Sequence, residues 1–318
     1  MSNFLKLVYN ELFKIYVRKV TWVMYGFLFL IVLGGAFLVH TLDDELSTTY
    51  TDNWKEQLQE ENDMYLGDIS SSSDSEYFSL YYGELVERNN YHIENDIKPL
   101  NYGAWSYTLE NAGLVSIISL FTIIIGAGII SNEYKWGTIK LLLIRPISRS
   151  KILLSKFLSV FIFAFVTMIF LLLSSLLAGA IFFGFEGLNP DIVVLKNDGF
   201  QHVPILGEVI TDYGYKVVNL IMMTTLAFMI STIFKSSSLA VGVGIFLLMG
   251  GNIFVQAFQN YDWVKYILFA NIDLKQYVTG NVLIEGMTLG FSVTVLFIYF
   301  VIFTMLTWLV FTKRDVAS

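Results

Sequence analysis

The chain has 318 residues, of which 55% are hydrophobic and 15% charged, with a mean hydropathy of +0.61. Soluble domains carry roughly 25% charged residues, so this composition describes a polytopic membrane protein and not a string of soluble domains. The formal net charge is −7 and there is no cysteine, which excludes disulfides, thiolate chemistry and Cys-ligated metal.

Residues 1–19 predict an amphipathic helix. Lys6, Asn10, Lys14 and Arg18 repeat every four residues on one face, and Phe4, Leu5, Val8, Leu12, Ile15 and Tyr16 cover the other. A basic face opposite an aromatic apolar face suits a helix lying in the membrane interface. The same residues also fit the start of a bent first span. Six apolar runs follow, at residues 20–39, 113–130, 157–183, 217–234, 239–258 and 287–311. Each is close to the ~20 residues a spanning helix needs, and the third is long enough to tilt or project. The expected fold is therefore an all-α integral membrane domain with six transmembrane helices.

The connecting segments predict the orientation. On the side of both termini lie residues 1–19, 131–156, 235–238 and 312–318, which hold 13 of the 20 Lys/Arg and three acids. The opposite side has residues 40–112, 184–216 and 259–286, with seven basic residues and 24 acids. Lys/Arg in short segments mark the cytoplasmic face, so both termini are expected inside. Residues 40–112 form a large acidic extracellular loop. Helical patterns at 54–65 and 78–91, separated by the Ser-rich tract 70–73, predict a small helical hairpin or lid. Residues 184–216 read as a turn-rich loop, and 259–286 as a loop or short re-entrant segment, tolerated at membrane depth if buried in protein.

Residues 131–156 carry six Lys/Arg against the single acid Glu133. Gly137 is placed to end the preceding helix and Thr138 to cap a short new one. Ile139, Leu141, Leu142, Leu143 and Ile144, interrupted by Lys140, form an apolar run, with Arg145 next and Pro146 as the stop. Ser148 is placed to cap the helix that follows. A short, greasy, basic helix at the inner face suits docking onto another protein; taken alone, it also suits a connector lying on lipid headgroups.

No phosphate-binding G-x-x-x-x-G-K-[ST] motif occurs, nor a Ser/His/Asp or H-E-x-x-H constellation, so neither ATP binding of that kind nor hydrolase chemistry is expected. The three histidines, His40, His92 and His202, lack metal-site spacing. Within the limits given, the spans hold no ionisable side chain, which argues against a proton- or ion-coupled carrier, although sodium coupling through backbone carbonyls stays open. They do hold small and amide groups suited to helix packing. Among these, Asn219, Thr224, Asn252 and Gln256 are candidates for lining a path. Asn252 and Gln256, four apart on one helical face, are the best placed.

Taken in order, these features resemble the permease subunits of ABC transporters of the type-2 exporter class, found in bacteria and archaea. The resemblance covers nearly the whole chain. It rests on N-E-x-x-K (Asn10, Glu11, Lys14) before the first span and on E-x-x-x-G-T-x-x-x-L-L-x-x-P-I-S-R (Glu133, Gly137, Thr138, Leu142, Leu143, Pro146, Ile147, Ser148, Arg149) followed by Lys156. Ser236–Ser238 before a Gly-rich fifth span and the terminal Lys313-Arg314-Asp315 add to it.

The resemblance implies a separate ATPase subunit, in two copies, that binds ATP and Mg; this chain would bind no cofactor and no nucleic acid. It implies a second permease subunit, identical or different, in the plasma membrane, and surrounding lipids. It places the coupling helix at about residues 136–145, from Trp136 to Arg145. Apart from the resemblance, Glu133 is placed to pair with a basic group of this loop or to cap a nearby helix. The family's substrates include lipids, drugs, peptide antibiotics, polysaccharides and sodium, and the large acidic loop is more like the subfamilies for sodium export or antibiotic resistance. Two rival readings are a secondary carrier, which would show gradient-driven uptake without any ATPase, and a non-transporting sensor or anchor that binds through residues 40–112.

Overall fold

A computed structural model describes residues 3–42, 49–71, 75–138 and 147–313. Among them six helical segments are long and apolar enough to cross a membrane, the number expected from the apolar runs. The first element, α1 (Asn3–Tyr16), is amphipathic. It is followed by α2 (Lys19–Leu42), then by two polar helices, α3 (Trp54–Ser71) and α4 (Ser75–Glu94), packed as a hairpin. The second spanning segment is built from α5 (Ala104–Glu110), a 3-10 turn (Asn111–Leu114) and α6 (Val115–Lys135). The third is α7 (Arg149–Phe182), whose 34 residues make it ~50 Å long, well beyond a ~30 Å hydrocarbon core.

Two features were not foreseen as such. Residues 191–204 form an antiparallel hairpin, β1 (Asp191–Lys196) with β2 (Gly199–Pro204), where a loop was expected. The β-branched run Ile192-Val193-Val194 favours strand, and Gly199, at φ +99°, supplies the positive φ that closes the turn. The fourth spanning helix, α8 (Ile205–Phe234), starts directly after Pro204, twelve residues before the apolar run begins. It ends at Lys235 in the left-handed region, and Ser236 caps α9 (Ser237–Phe258) by accepting the Leu239 N–H at 3.2 Å.

A 3-10 turn (Asp262–Tyr266) and two short helices, α10 (Leu268–Asn271) and α11 (Gln276–Thr279), lead to α12 (Leu289–Lys313). This irregular backbone is satisfied from within. Asn271 is fully buried; its amide donates to the carbonyls of Lys265 and Ile267, both at 2.8 Å, and accepts from Ser292 at 2.7 Å. Gly251 permits α9 to meet it, because a Cβ there would lie 2.3 Å from the Phe269 ring.

Of the six spanning segments, the one containing α6 is the most buried, and α9 and α12 are the least. The core includes Leu28 and Val32 of α2, Ile118 of α6, Phe163 and Leu171 of α7, and Phe228 of α8. The ends of the bundle differ. At one lie α1, the C-terminal ends of α6, α8 and α12 and the start of α7. At the other lie the α3–α4 and β1–β2 hairpins and the short helices.

Candidate functional site

Val8, Glu11 and Ile15 are the buried residues of α1, which packs against α7, while Leu5, Tyr9 and Phe13 stay exposed. The apolar face of α1 is thus divided between a protein contact and a strip open to its surroundings. Burying Glu11 demands a cation, and Lys156 of α7 supplies it at 2.7 Å. Lys156 is among the largest fully buried side chains of the described residues. Its ammonium also reaches Glu133 at 3.1 Å and the Ile129 carbonyl at 3.3 Å. An ammonium has three N–H donors, so each has its acceptor.

Lys14 closes the cluster, reaching Glu11 at 2.9 Å and Glu133 at 3.1 Å. Two carboxylates meet two ammonium groups, and the sum is neutral. Partial burial opposes the charge on Lys14, yet the Glu11 and Glu133 carboxylates outweigh it and hold its pKa above the ordinary lysine value. Ser159 adds a hydrogen bond to the Val8 carbonyl at 3.2 Å. In this way α1, α6 and α7 are joined by Lys156, Glu11 and Glu133, charges that water scarcely reaches, with Lys14 half-exposed at the rim.

The cluster sits at the root of the basic segment. Beyond Glu133, α6 ends at Lys135 and Gly137 takes φ +71°, the helix stop read from the sequence. Thr138 turns its hydroxyl back to donate to the Glu133 carboxylate. At the far side, Ser148 occupies the N-cap position of α7 but makes no side-chain cap; its carbonyl accepts from Lys151 and Ile152. Arg149 donates to the Thr312 carbonyl and Trp308 to Ser150, both at 2.9 Å, fastening the start of α7 to α12. Trp136 is 63% exposed. Ile139, Lys140, Leu141, Leu142, Leu143, Ile144, Arg145 and Pro146, the body of the expected coupling helix, lie outside the described residues.

The path-lining candidates separate. Asn219 and Asn252 meet at one cavity of about 430 Å³, which Lys216 and Ser116 also line. Thr224 is buried and donates to the Leu220 carbonyl at 2.6 Å, a helix-packing role. Gln256 is exposed one turn beyond Asn252 and does not line that cavity. The longer helices also carry ionisable groups that the narrower apolar runs omit, among them Glu133, Lys156, Glu208, Asp212 and Lys216. The convergence of Glu11 with Lys156 was not read from the sequence. Its signals are that Glu11 is the only acid in residues 1–19 and that Lys156 interrupts an apolar run.

At the opposite end a cavity of about 500 Å³ with both charged and apolar walls lies between α4, the β hairpin and the start of α8. Its walls include the ion pairs Lys196–Glu208 at 2.6 Å and Lys275–Asp212 at 2.8 Å. Burial pushes the pKa of His92 in this wall below the ordinary histidine value, and Arg88 and His202 add to the effect against the backbone bond to Ile97.

Comparison with known proteins gives the chain relatives over its whole length. It is 43% identical over 322 residues to the uncharacterized protein YhcI of Bacillus subtilis (strain 168), covering 99% of this chain and all of the relative. It is 33% identical over 217 residues to the uncharacterized membrane protein YdbK of the same organism, covering 67% of this chain and 82% of the relative. A family model described as a protein of unknown function, DUF2705, matches residues 86–317, from within α4 to the last spanning helix. The chain therefore belongs to the DUF2705 family.

Proposed function

We propose that this chain is the membrane permease of an ATP-driven exporter, dimeric in the plasma membrane of a bacterium and powered by a separate ATPase. Both termini and residues 131–156 face the cytoplasm, and the α3–α4 hairpin faces outward. The ATPase, which binds the ATP and Mg, docks on residues 139–146. The observation that carries this reading is the neutral cluster of Lys156, Glu11, Glu133 and Lys14 at the root of that segment. A spanning bundle needs no buried ions to stay folded, and buried pairs are poor sources of net stability. They are well suited to joining elements that must move together. A push on residues 139–146 reaches Thr138 and Glu133, and through Lys156 and Glu11 it reaches α7 and α1 with little slack. The substrate class expected from the resemblance spans peptide antibiotics, lipids, drugs and sodium.

The test is co-purification of the full chain with an ATPase encoded beside it, followed by ATP turnover of the pair. Leu142→Asp or Leu143→Asp places a charge in the docking contact, so both capture and stimulated turnover should fall. A variant that assembles and pumps normally would refute the docking assignment. Uptake driven by an ion gradient in liposomes, with no ATPase present, would favour a secondary carrier instead.

A further inference from the structure

Two cavities lie on the same faces of α6 and α9, one toward each end of the bundle. At the α1 end a cavity of about 550 Å³ is lined by Arg18, Asn132, Ser237 and Ser238. At the hairpin end the cavity of about 430 Å³ is lined by Lys216, Asn219, Asn252 and Ser116. Along α6 the lining residues Ser116, Leu120, Ile124, Gly128 and Asn132 recur every four positions, the spacing of one helical face. The seventeen residues from Ser116 to Asn132 cover ~24 Å of helix, comparable to a ~30 Å bilayer core.

The lining chemistry of the two cavities matches. Among the described residues each holds one cation and at least one amide, and neither is lined by any Asp or Glu, in a chain where acids outnumber bases 27 to 20. The side chains of Arg18 and Lys216 have no hydrogen bond or ion pair among the described residues. Asp212, one turn before Lys216, is engaged with Lys275. The Asn219 Oδ1 is buried with no donor among the described residues, which a native structure seldom tolerates without a purpose. Gly128 makes room at the other cavity, since a Cβ there would lie 3.0 Å from Asn132 Nδ2 and 3.7 Å from an Arg18 guanidinium nitrogen.

We propose that the α6–α9 face binds anionic glycerophospholipid, with a headgroup station near each end of the bundle. The phosphodiester accepts from the Lys216 or Arg18 side chain and from amide N–H groups; a headgroup hydroxyl supplies the donor that Asn219 Oδ1 lacks. Ile117, Leu120, Leu248 and Met249 offer apolar wall to the acyl chains beside the outer station. The binding claim stands on the cavities alone. Only the further step, that lipid passes between the stations, rests on the permease reading.

The experiment uses the purified full chain without an ATPase, so loss of the permease reading would leave its outcome untouched. Phosphatidylglycerol and phosphatidylcholine of equal acyl length are offered together in mild detergent, and native mass spectrometry reads which is retained. Phosphatidylglycerol should be preferred about tenfold, and Arg18→Gln with Lys216→Gln should erase that preference, as expected for lost hydrogen bonds to a charged group. Arg18→Lys with Lys216→Arg should keep it, which separates charge from misfolding. Soluble glycerol phosphate in excess should not displace the lipid. Equal retention of the two lipids, a preference that survives the double glutamine variant, loss in the charge-preserving pair, or full displacement by glycerol phosphate would each overturn the proposal.

Discussion

The two ends of the molecule handle charge in opposite ways. At the α1 end four ionisable groups are drawn together, and Lys156 is fully buried with all three donors engaged. At the hairpin end the ion pairs are split two by two along the wall of a cavity, with Lys275 still 42% exposed as a side chain and Lys196 27%. Buried, saturated charges fix the relative position of helices, because any shift strands an ion away from water. Pairs near solvent can break and reform at little expense. The hairpin end is held by steric contact instead. Gly179 of α7 runs so close to α5 that a Cβ would sit 2.7 Å from the Ala104 Cα. One end is tied by buried charge, and the other by close steric contact beside an open cavity.

The largest effect should come from breaking the α1 end. Lys156→Ala leaves Glu11 and Glu133 buried with only the half-exposed Lys14 for company, and should destabilise the chain by about 3–5 kcal/mol. Thermal unfolding in nanodiscs would read this. Replacing Lys156, Glu11 and Glu133 together by Met, Leu and Leu should recover most of that loss while uncoupling α1 from α7. If Lys156→Ala melts like the parent, the cluster is not the rigid joint described.

At the other end Gly179→Ala should cost about 1–3 kcal/mol through overpacking against α5, and the same unfolding assay would show it. A parental melting curve would mean that α5 yields easily.

The next effect is smaller and pH-dependent. Unfolded histidine titrates near ~6.5, and folded His92 lies below that. Between these two values the unfolded chain binds the extra proton. Stability present above pH ~6.5 is therefore lost as pH falls through the window. Hydrogen exchange in α4, corrected for its intrinsic pH dependence, should be faster at about pH 5.5 than at about pH 7.5, and His92→Gln should remove the difference. The smallest change is expected for Lys196→Ala, whose partly exposed pair with Glu208 should contribute no more than about 1 kcal/mol. A loss comparable to that of Lys156→Ala would erase the contrast between the ends.

Much of this architecture is written in local patterns. Apolar runs near twenty residues long mark the spanning helices, and the alternation of helical pattern with the Ser-rich tract foretells the α3–α4 hairpin. Gly137 stops α6 because a left-handed residue is needed there and glycine fits it without strain. Other features depend on distant contacts. Glu11, Glu133 and Lys156 are widely separated in sequence, and no local rule pairs them. The early start of α8 escapes a hydropathy reading because Glu208 and Asp212, each matched by a lysine from another element, interrupt the apolar pattern. The β hairpin is hidden for a different reason: its turn residues dominate a short segment whose strands are only six residues each.

The central claim is that residues 139–146 face the cytoplasm and take up force there from a partner. The absence of cysteine makes the direct measurement simple: a single Lys140→Cys variant, probed with a membrane-impermeant maleimide in intact and in opened cells, with and without the ATPase. The account predicts labelling only after the cells are opened, and protection when the ATPase is bound. Labelling of intact cells, or equal labelling with and without the ATPase, would contradict it.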